Sequence, residues 1–170
     1  HIPRVLNRDH KELVNRSERQ ATEGLMHRAA DEDATWIRPN DSWDDVWRNG
    51  LLTIGGPKEH GGHGLDMLTY VMVIEKLAGG CTNTGMTVHM HSTVMRFIDA
   101  LGTTEQKSLF YPEIVDEGKL YGSWGSEPET RGGSAFRFTT ITADDKGYVI
   151  NGVKNFCTMS GGAHRYMIHC

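Results

Sequence analysis

Apolar positions in the first part of this chain recur at helical spacing. Leu13, Leu25, Met26 and Ala29 sit among charged residues in the first fifty positions. Pro3 and Pro39 bound that stretch, because proline cannot continue a helix interior. Trp43 and Trp47 are four apart and share one face of a helix; with Trp36 they read as core anchors. From Leu65 to Ala78, the residues Leu68, Val71, Met72, Ile74 and Leu77 keep a helical period with wide burial, and Gly79-Gly80 predicts the stop. Further helices are predicted over 84–101, ended by Gly102, and over 105–115, capped by Thr103 or Thr104 with Gly118 just beyond.

After Gly118 the pattern changes to alternation. Residues 136–143 are β-branched and aromatic, Asp144-Asp145-Lys146-Gly147 is a turn, and Tyr148-Val149-Ile150 begins the returning strand. Asn151-Gly152 predicts a tight turn into another short strand from Val153. Helices first and strands afterwards predict an α+β chain, with an all-helical domain over 1–118 and a β-domain over 119–170. The chain opens on His1, and Tyr166 to Cys170 reads as a strand stopped midway, so the expectation is a piece of a longer protein.

Glycines crowd around Pro57 between positions 50 and 64, which predicts a compact loop where backbone folds tightly or approaches something closely. The spacing is neither GxGxxG nor GxxxxGK[ST], so those nucleotide loops are not supported.

Composition narrows the partners. Eighteen Lys and Arg against 22 Asp and Glu give a net charge of −4, which leaves no basic footprint for nucleic acid. The longest apolar run, Tyr70 to Ile74, is far short of the ~20 residues that a bilayer requires. Cys81, Cys157 and Cys170 are odd in number and form no CxxC pair, which argues against a disulfide framework or zinc site and for a reducing compartment, the cytoplasm. His89 and His91 are two apart on a predicted helix, about 200° around it, so they do not chelate one metal ion.

Two clusters carry candidate chemistry. In Tyr121–Ser134, the aromatic Trp124 and the hydroxyl of Ser126 precede a proline turn, and backbone N–H groups around Gly133-Ser134 suit close approach of an anion. In Tyr148–Gly162, Phe156 and Thr158 fall on the same face of the predicted strand, and a flat ring beside a hydroxyl suits a planar heteroaromatic cofactor. A structural turn and a hairpin with a core Phe explain the same residues equally well.

Taken in order, these segments resemble the acyl-CoA dehydrogenase family of flavoenzymes. The resemblance begins at Gly50-Leu51 and continues through Pro57-Lys-Glu-His-Gly-Gly-His-Gly64, Glu75-Lys-Leu77, Gly102-Thr-Thr-Glu-Gln-Lys107 and Tyr111-Pro112. It ends with Ser126-Glu-Pro128, Gly133-Ser134, Tyr148-Val-Ile-Asn-Gly-Val-Lys154 and Phe156-Cys-Thr158. It implies an N-terminal helical domain, then the first part of an antiparallel β-domain, with the family's C-terminal helical bundle absent from these residues. It also implies FAD as cofactor, an acyl-CoA substrate, electron-transfer flavoprotein or oxygen as electron acceptor, a homo-oligomer when full length, and the mitochondrial matrix as compartment in a eukaryote.

Carried over onto this chain, Ser126 hydrogen-bonds the flavin ring, with Trp124 beside it. Gly133 and Ser134 meet the pyrophosphate, or Ser134 the acyl-CoA. Phe156 packs on the isoalloxazine, and Thr158 sets its hydroxyl near the reactive nitrogen. Met90, His91 and Met95 border the acyl pocket. The family's base is a Glu of the C-terminal bundle, so no base is assigned here, and the expectation is that these residues alone do not turn over. Phe156-Cys157-Thr158 also resembles the Phe-Cys-Ser of related flavin monooxygenases acting on organosulfur or aromatic compounds. A further alternative is a non-catalytic helical-plus-β binding fragment.

Overall fold

The computed structural model of the chain describes residues 6–128 and 138–170. Helix α1 (Arg8–Arg19) starts at Asn7, whose side chain accepts the His10 N–H at 2.8 Å. It runs through one π-type turn, Gln20–Leu25, into α2 (Met26–Thr35). Trp36 ends α2 in a left-handed conformation (φ 57°) and is 94% exposed, so it is not the core anchor its sequence suggests. Helix α3 (Asn40–Arg48) does place Trp43 and Trp47 against the main core, and the Trp47 indole donates to Val115 O at 2.9 Å.

Helices α4 (Met67–Gly80) and α5 (Thr82–Leu101) form the centre of the helical part. Glycine admits two close approaches there. A Cβ at Gly80 would lie 2.5 Å from Ala21 O, and one at Gly85 would lie 2.8 Å from Ala78 Cα. Helix α4 ends at Gly80, at the Gly79-Gly80 stop that the sequence predicts. Leu25, Leu51, Leu52, Ile54, Val73 and Leu77, all essentially free of solvent, fill the main core; each contributes on the order of 1.5–3 kcal/mol. Helix α6 (Thr104–Val115) begins with a reciprocal cap in which Gln106 N–H bonds Thr103 Oγ1 and Thr103 N–H bonds Gln106 Oε1. The glycine loop before α4 is compact as expected: Gly62 N–H reaches Pro57 O and Gly64 N–H reaches Gly56 O, each at 2.9 Å.

Strand β1 (Tyr121–Trp124) pairs with β4 (Arg165–Ile168), and β2 (Thr140–Asp144) pairs with β3 (Gly147–Asn151). The second pair is the antiparallel hairpin that the turn at 144–147 predicts. The first pair is parallel, which the long connection between its strands allows. The strand expected from Val153 is not formed; residues 152–157 run without ladder pairing. A second buried cluster, Val94, Met95, Tyr111, Ile114 and Tyr121, packs α5 and α6 against β1. Over the same junction, Glu113 of α6 takes both Arg165 Nε (2.5 Å) and Nη2 (2.6 Å) from β4.

Candidate functional site

The two chemical clusters are far apart in sequence, and the fold ties them together. After β1 the chain turns through Gly125–Pro128; after β3 it passes Lys154 and Asn155. Asn155 N–H donates to Ser126 O at 2.8 Å. Beside this bond, Lys154 Nζ lies 2.6 Å from Glu127 Oε1 and also donates to the carbonyls of Gly125 (3.5 Å) and His169. The Glu127 carboxylate also accepts the backbone N–H groups of Phe138 (2.7 Å) and Thr139 (3.0 Å), which lead into β2. The Lys154 ammonium, then these N–H donors, hold the Glu127 carboxyl well below the usual carboxylate range. One buried charge pair therefore joins the first turn, the start of the hairpin and its return.

Around this anchor, Ser126 is exposed, and among the described residues no protein group bonds its hydroxyl or that of Thr158. Trp124 is half-buried and stacks on Tyr166, with centroids 5.0 Å apart and planes at 19°. Phe156 is left-handed (φ 49°) and 89% exposed, and half-buried Thr158 starts a turn. The expectation that Phe156 and Thr158 alternate along a strand is therefore corrected. Lys154 and Asn155 are fixed to the neighbouring turn, and the backbone reverses hand immediately after them. Gly133 and Ser134 lie outside the described residues.

The proposed substrate contacts on α5 fall differently. Met90 is half-buried against the main core. His91 and Met95 are fully buried on the face of α5 turned toward β1 and the glycine loop. His91 Nδ1 accepts Tyr121 N–H at 2.9 Å, so the neutral ring carries its proton on Nε2, which has no partner. Burial pushes its pKa down to about 3. The Met95 methyl closes on Gly56, where a Cβ would sit 2.7 Å from it. Neither residue offers surface to a substrate. The large apolar residues of α5 that are exposed are Met86, Phe97 and Leu101.

Three further histidines have protein partners. His63 Nε2 bonds Gly50 O at 2.7 Å, His89 Nδ1 bonds the Tyr70 hydroxyl at 2.8 Å, and His60 stacks on Tyr111. Among the described residues, no three His, Cys, Asp or Glu side chains gather as a metal site. A cleft of about 490 Å³ lies between α5, α6 and the β1–β4 pair, lined by Val94, Ile98, Phe110, Tyr121, Arg165 and Met167.

Sequence reasoning named Glu127 and Lys154 as parts of motifs but not as a pair. It placed Tyr166 in a strand without a role and passed over Arg165 and Glu113, because nothing local to them signals a partner dozens of residues away. The donor set near the anchor fits a flavin: an exposed flat ring at Phe156 and two uncommitted hydroxyls at Ser126 and Thr158 suit the face and edge of a planar heteroaromatic group.

Residues 7–118 match the acyl-CoA dehydrogenase N-terminal domain. The short-chain-specific acyl-CoA dehydrogenase of Clostridium acetobutylicum is 31% identical over 93% of this chain, which spans 42% of that protein. The dibenzothiophene monooxygenase of Rhodococcus qingshengii is 29% identical over 71% of this chain and 28% of its own length. FMN-bound TdsC from Paenibacillus sp. A11-2 superposes with a TM-score of 0.78 at 26% identity, over 92% of this chain and 39% of that one. The chain thus covers less than half of each of these proteins, and through its helical part it belongs to the acyl-CoA dehydrogenase family.

Proposed function

We propose that the full-length protein is a FAD-dependent oxidoreductase that introduces a double bond between the α and β carbons of an acyl-CoA thioester. The observation that carries this reading is the junction of the two motifs through Glu127–Lys154 and Asn155–Ser126, which leaves Ser126, Phe156 and Thr158 uncommitted beside it. Bound FAD supplies the acceptor for the β-hydrogen, which leaves as hydride while the α-proton goes to a carboxylate. On this chain, the Phe156 ring packs against the flavin, the hydroxyls of Ser126 and Thr158 bond its edge, and Trp124 backs the first motif. Gly133 and Ser134 meet the pyrophosphate or the acyl-CoA.

No base is assigned among the described residues. The two buried carboxylates, Glu113 and Glu127, are already held by Arg165 and Lys154, so neither is free to take a proton from substrate. The reading divides the chain at 118/119 into a helical and a partial β-domain. It expects these 170 residues to be inactive by themselves. It takes electron-transfer flavoprotein or oxygen as acceptor, a homo-oligomer when full length, and a cytoplasmic or mitochondrial-matrix location.

The test is anaerobic mixing of the FAD-loaded full-length protein with an acyl-CoA. Bleaching of the flavin without added reductant is the expected result, and its absence overturns dehydrogenation. A second reading, a flavin monooxygenase, is favoured by the similarity to dibenzothiophene monooxygenase and by Phe156-Cys157-Thr158. It predicts no bleaching, but turnover of an organosulfur compound when reduced flavin and oxygen are supplied.

A further inference from the structure

Tyr166 touches both motifs at once. From β4 its half-buried ring stacks on Trp124 of the first motif at 5.0 Å. Opposite it in the ladder is Gly122, where a Cβ would lie only 3.0 Å from the Tyr166 ring, so the small residue admits the ring onto β1. At its other end, the phenol oxygen accepts Gly161 N–H at 3.0 Å and donates to Met159 O at 3.2 Å. Met159 O also receives the N–H groups of Gly162 (2.8 Å) and Ala163 (2.9 Å).

This turn follows directly on Phe156 and Thr158. Phe156 (φ 49°), Met159 (φ 69°) and Gly161 (φ 77°) are all left-handed, a conformation costly for the two that carry side chains. Such a backbone persists only where surrounding bonds over-determine it, and the Tyr166 hydroxyl supplies two of those bonds.

We infer that Tyr166 is a positioning residue for the flavin, holding the Phe156–Gly161 turn in fixed relation to Trp124 so that both motifs meet one planar ring. The inference rests on the flavin reading proposed above. Tyr166 itself does not touch the cofactor; it acts through Trp124 and the turn.

Two variants of the full-length protein separate its parts. Tyr166→Phe keeps the stack and removes the hydroxyl; Tyr166→Leu removes both. FAD affinity is read by fluorescence titration, the shape of the bound flavin's visible absorption band by spectrophotometry, and the Gly161 amide by hydrogen exchange. Tyr166→Phe is expected to bind FAD about tenfold more weakly and Tyr166→Leu about a hundredfold. In both, the Gly161 amide exchanges faster and the resolved shoulders of the bound flavin band blur. Wild-type affinity and spectrum in both variants overturn the inference. So does loss of FAD binding by Tyr166→Phe accompanied by loss of a cooperative urea transition in the flavin-free protein, which makes Tyr166 a folding residue only. If the wild-type protein binds no FAD, the functional reading itself has failed and the inference falls with it.

Discussion

The Lys154 ammonium lies 2.6 Å from the Glu127 carboxylate, with the two side chains 7% and 0% exposed. Removing Lys154 alone takes the counter-charge from a buried carboxylate, which costs more than replacing both members with neutral groups. Lys154→Met is expected to lower the melting temperature by about 5 °C or more. The double variant Glu127→Gln/Lys154→Met is expected to recover part of that loss. Differential scanning calorimetry of the three proteins checks the order; a double variant no better than Lys154→Met contradicts it.

Acid sensitivity follows from His91, Glu113 and Glu127, in two windows. His91 stays neutral in the fold down to about pH 3, whereas in the unfolded chain it takes a proton near pH 6.5. Stability is therefore lost as the pH falls from 6.5 toward 3. The Glu113 carboxyl, held low first by Arg165 and then by Tyr121, and the Glu127 carboxyl, held low first by Lys154, stay charged where unfolded carboxylates protonate. Their contribution is complete above about pH 4.3 and drains away below it. Urea midpoints measured from pH 7 to 3 are expected to decline in both windows. His91→Asn, which keeps an acceptor for Tyr121 N–H, flattens the decline above about pH 4.3 and leaves only the carboxylate loss below it.

Phe156 separates binding from folding. With the residue 89% exposed, Phe156→Ala is expected to change stability by less than about 0.5 kcal/mol. FAD affinity is expected to fall at least tenfold, because the flat surface is gone. Equilibrium dialysis alongside urea denaturation tests this; equal FAD affinity removes Phe156 from the proposed site.

Two glycines should respond in opposite directions. A Cβ at Gly62 would sit 2.2 Å from the backbone oxygen of Gly56, so Gly62→Ala forces the loop apart and is expected to cost more than about 2 kcal/mol. At Gly79, in the last turn of α4, nothing lies within 4 Å of the added atom, and Gly79→Ala is expected to stabilise by about 0.5–1 kcal/mol. Chemical denaturation of both variants decides it.

The start of α6 tests local capping. Thr103→Ala removes the oxygen that accepts Gln106 N–H at 3.2 Å, and is expected to cost about 1 kcal/mol. Thr103→Ser is expected to recover most of it in the same denaturation series.

Whatever depends on near neighbours along the chain was legible from the sequence by itself. Helical spacing placed α4, α5 and α6 within a few residues of their observed limits, Thr103 or Thr104 announced the cap that Thr103 forms, and Asp144–Gly147 announced the β2–β3 turn. Ordered short motifs carried the family. These signals come from contacts three or four residues apart, or from turn residues whose backbone preference is intrinsic. Tertiary structure alone decided that His91 and Met95 face inward, that Phe156 turns left-handed instead of extending a strand, and that β1 and β4 run parallel. It also brought Glu113 to Arg165 across 52 positions and set the Tyr166 ring over Trp124. No periodicity encodes these relations, because each depends on which surfaces meet after the chain has collapsed and on where a buried charge or donor then finds its partner.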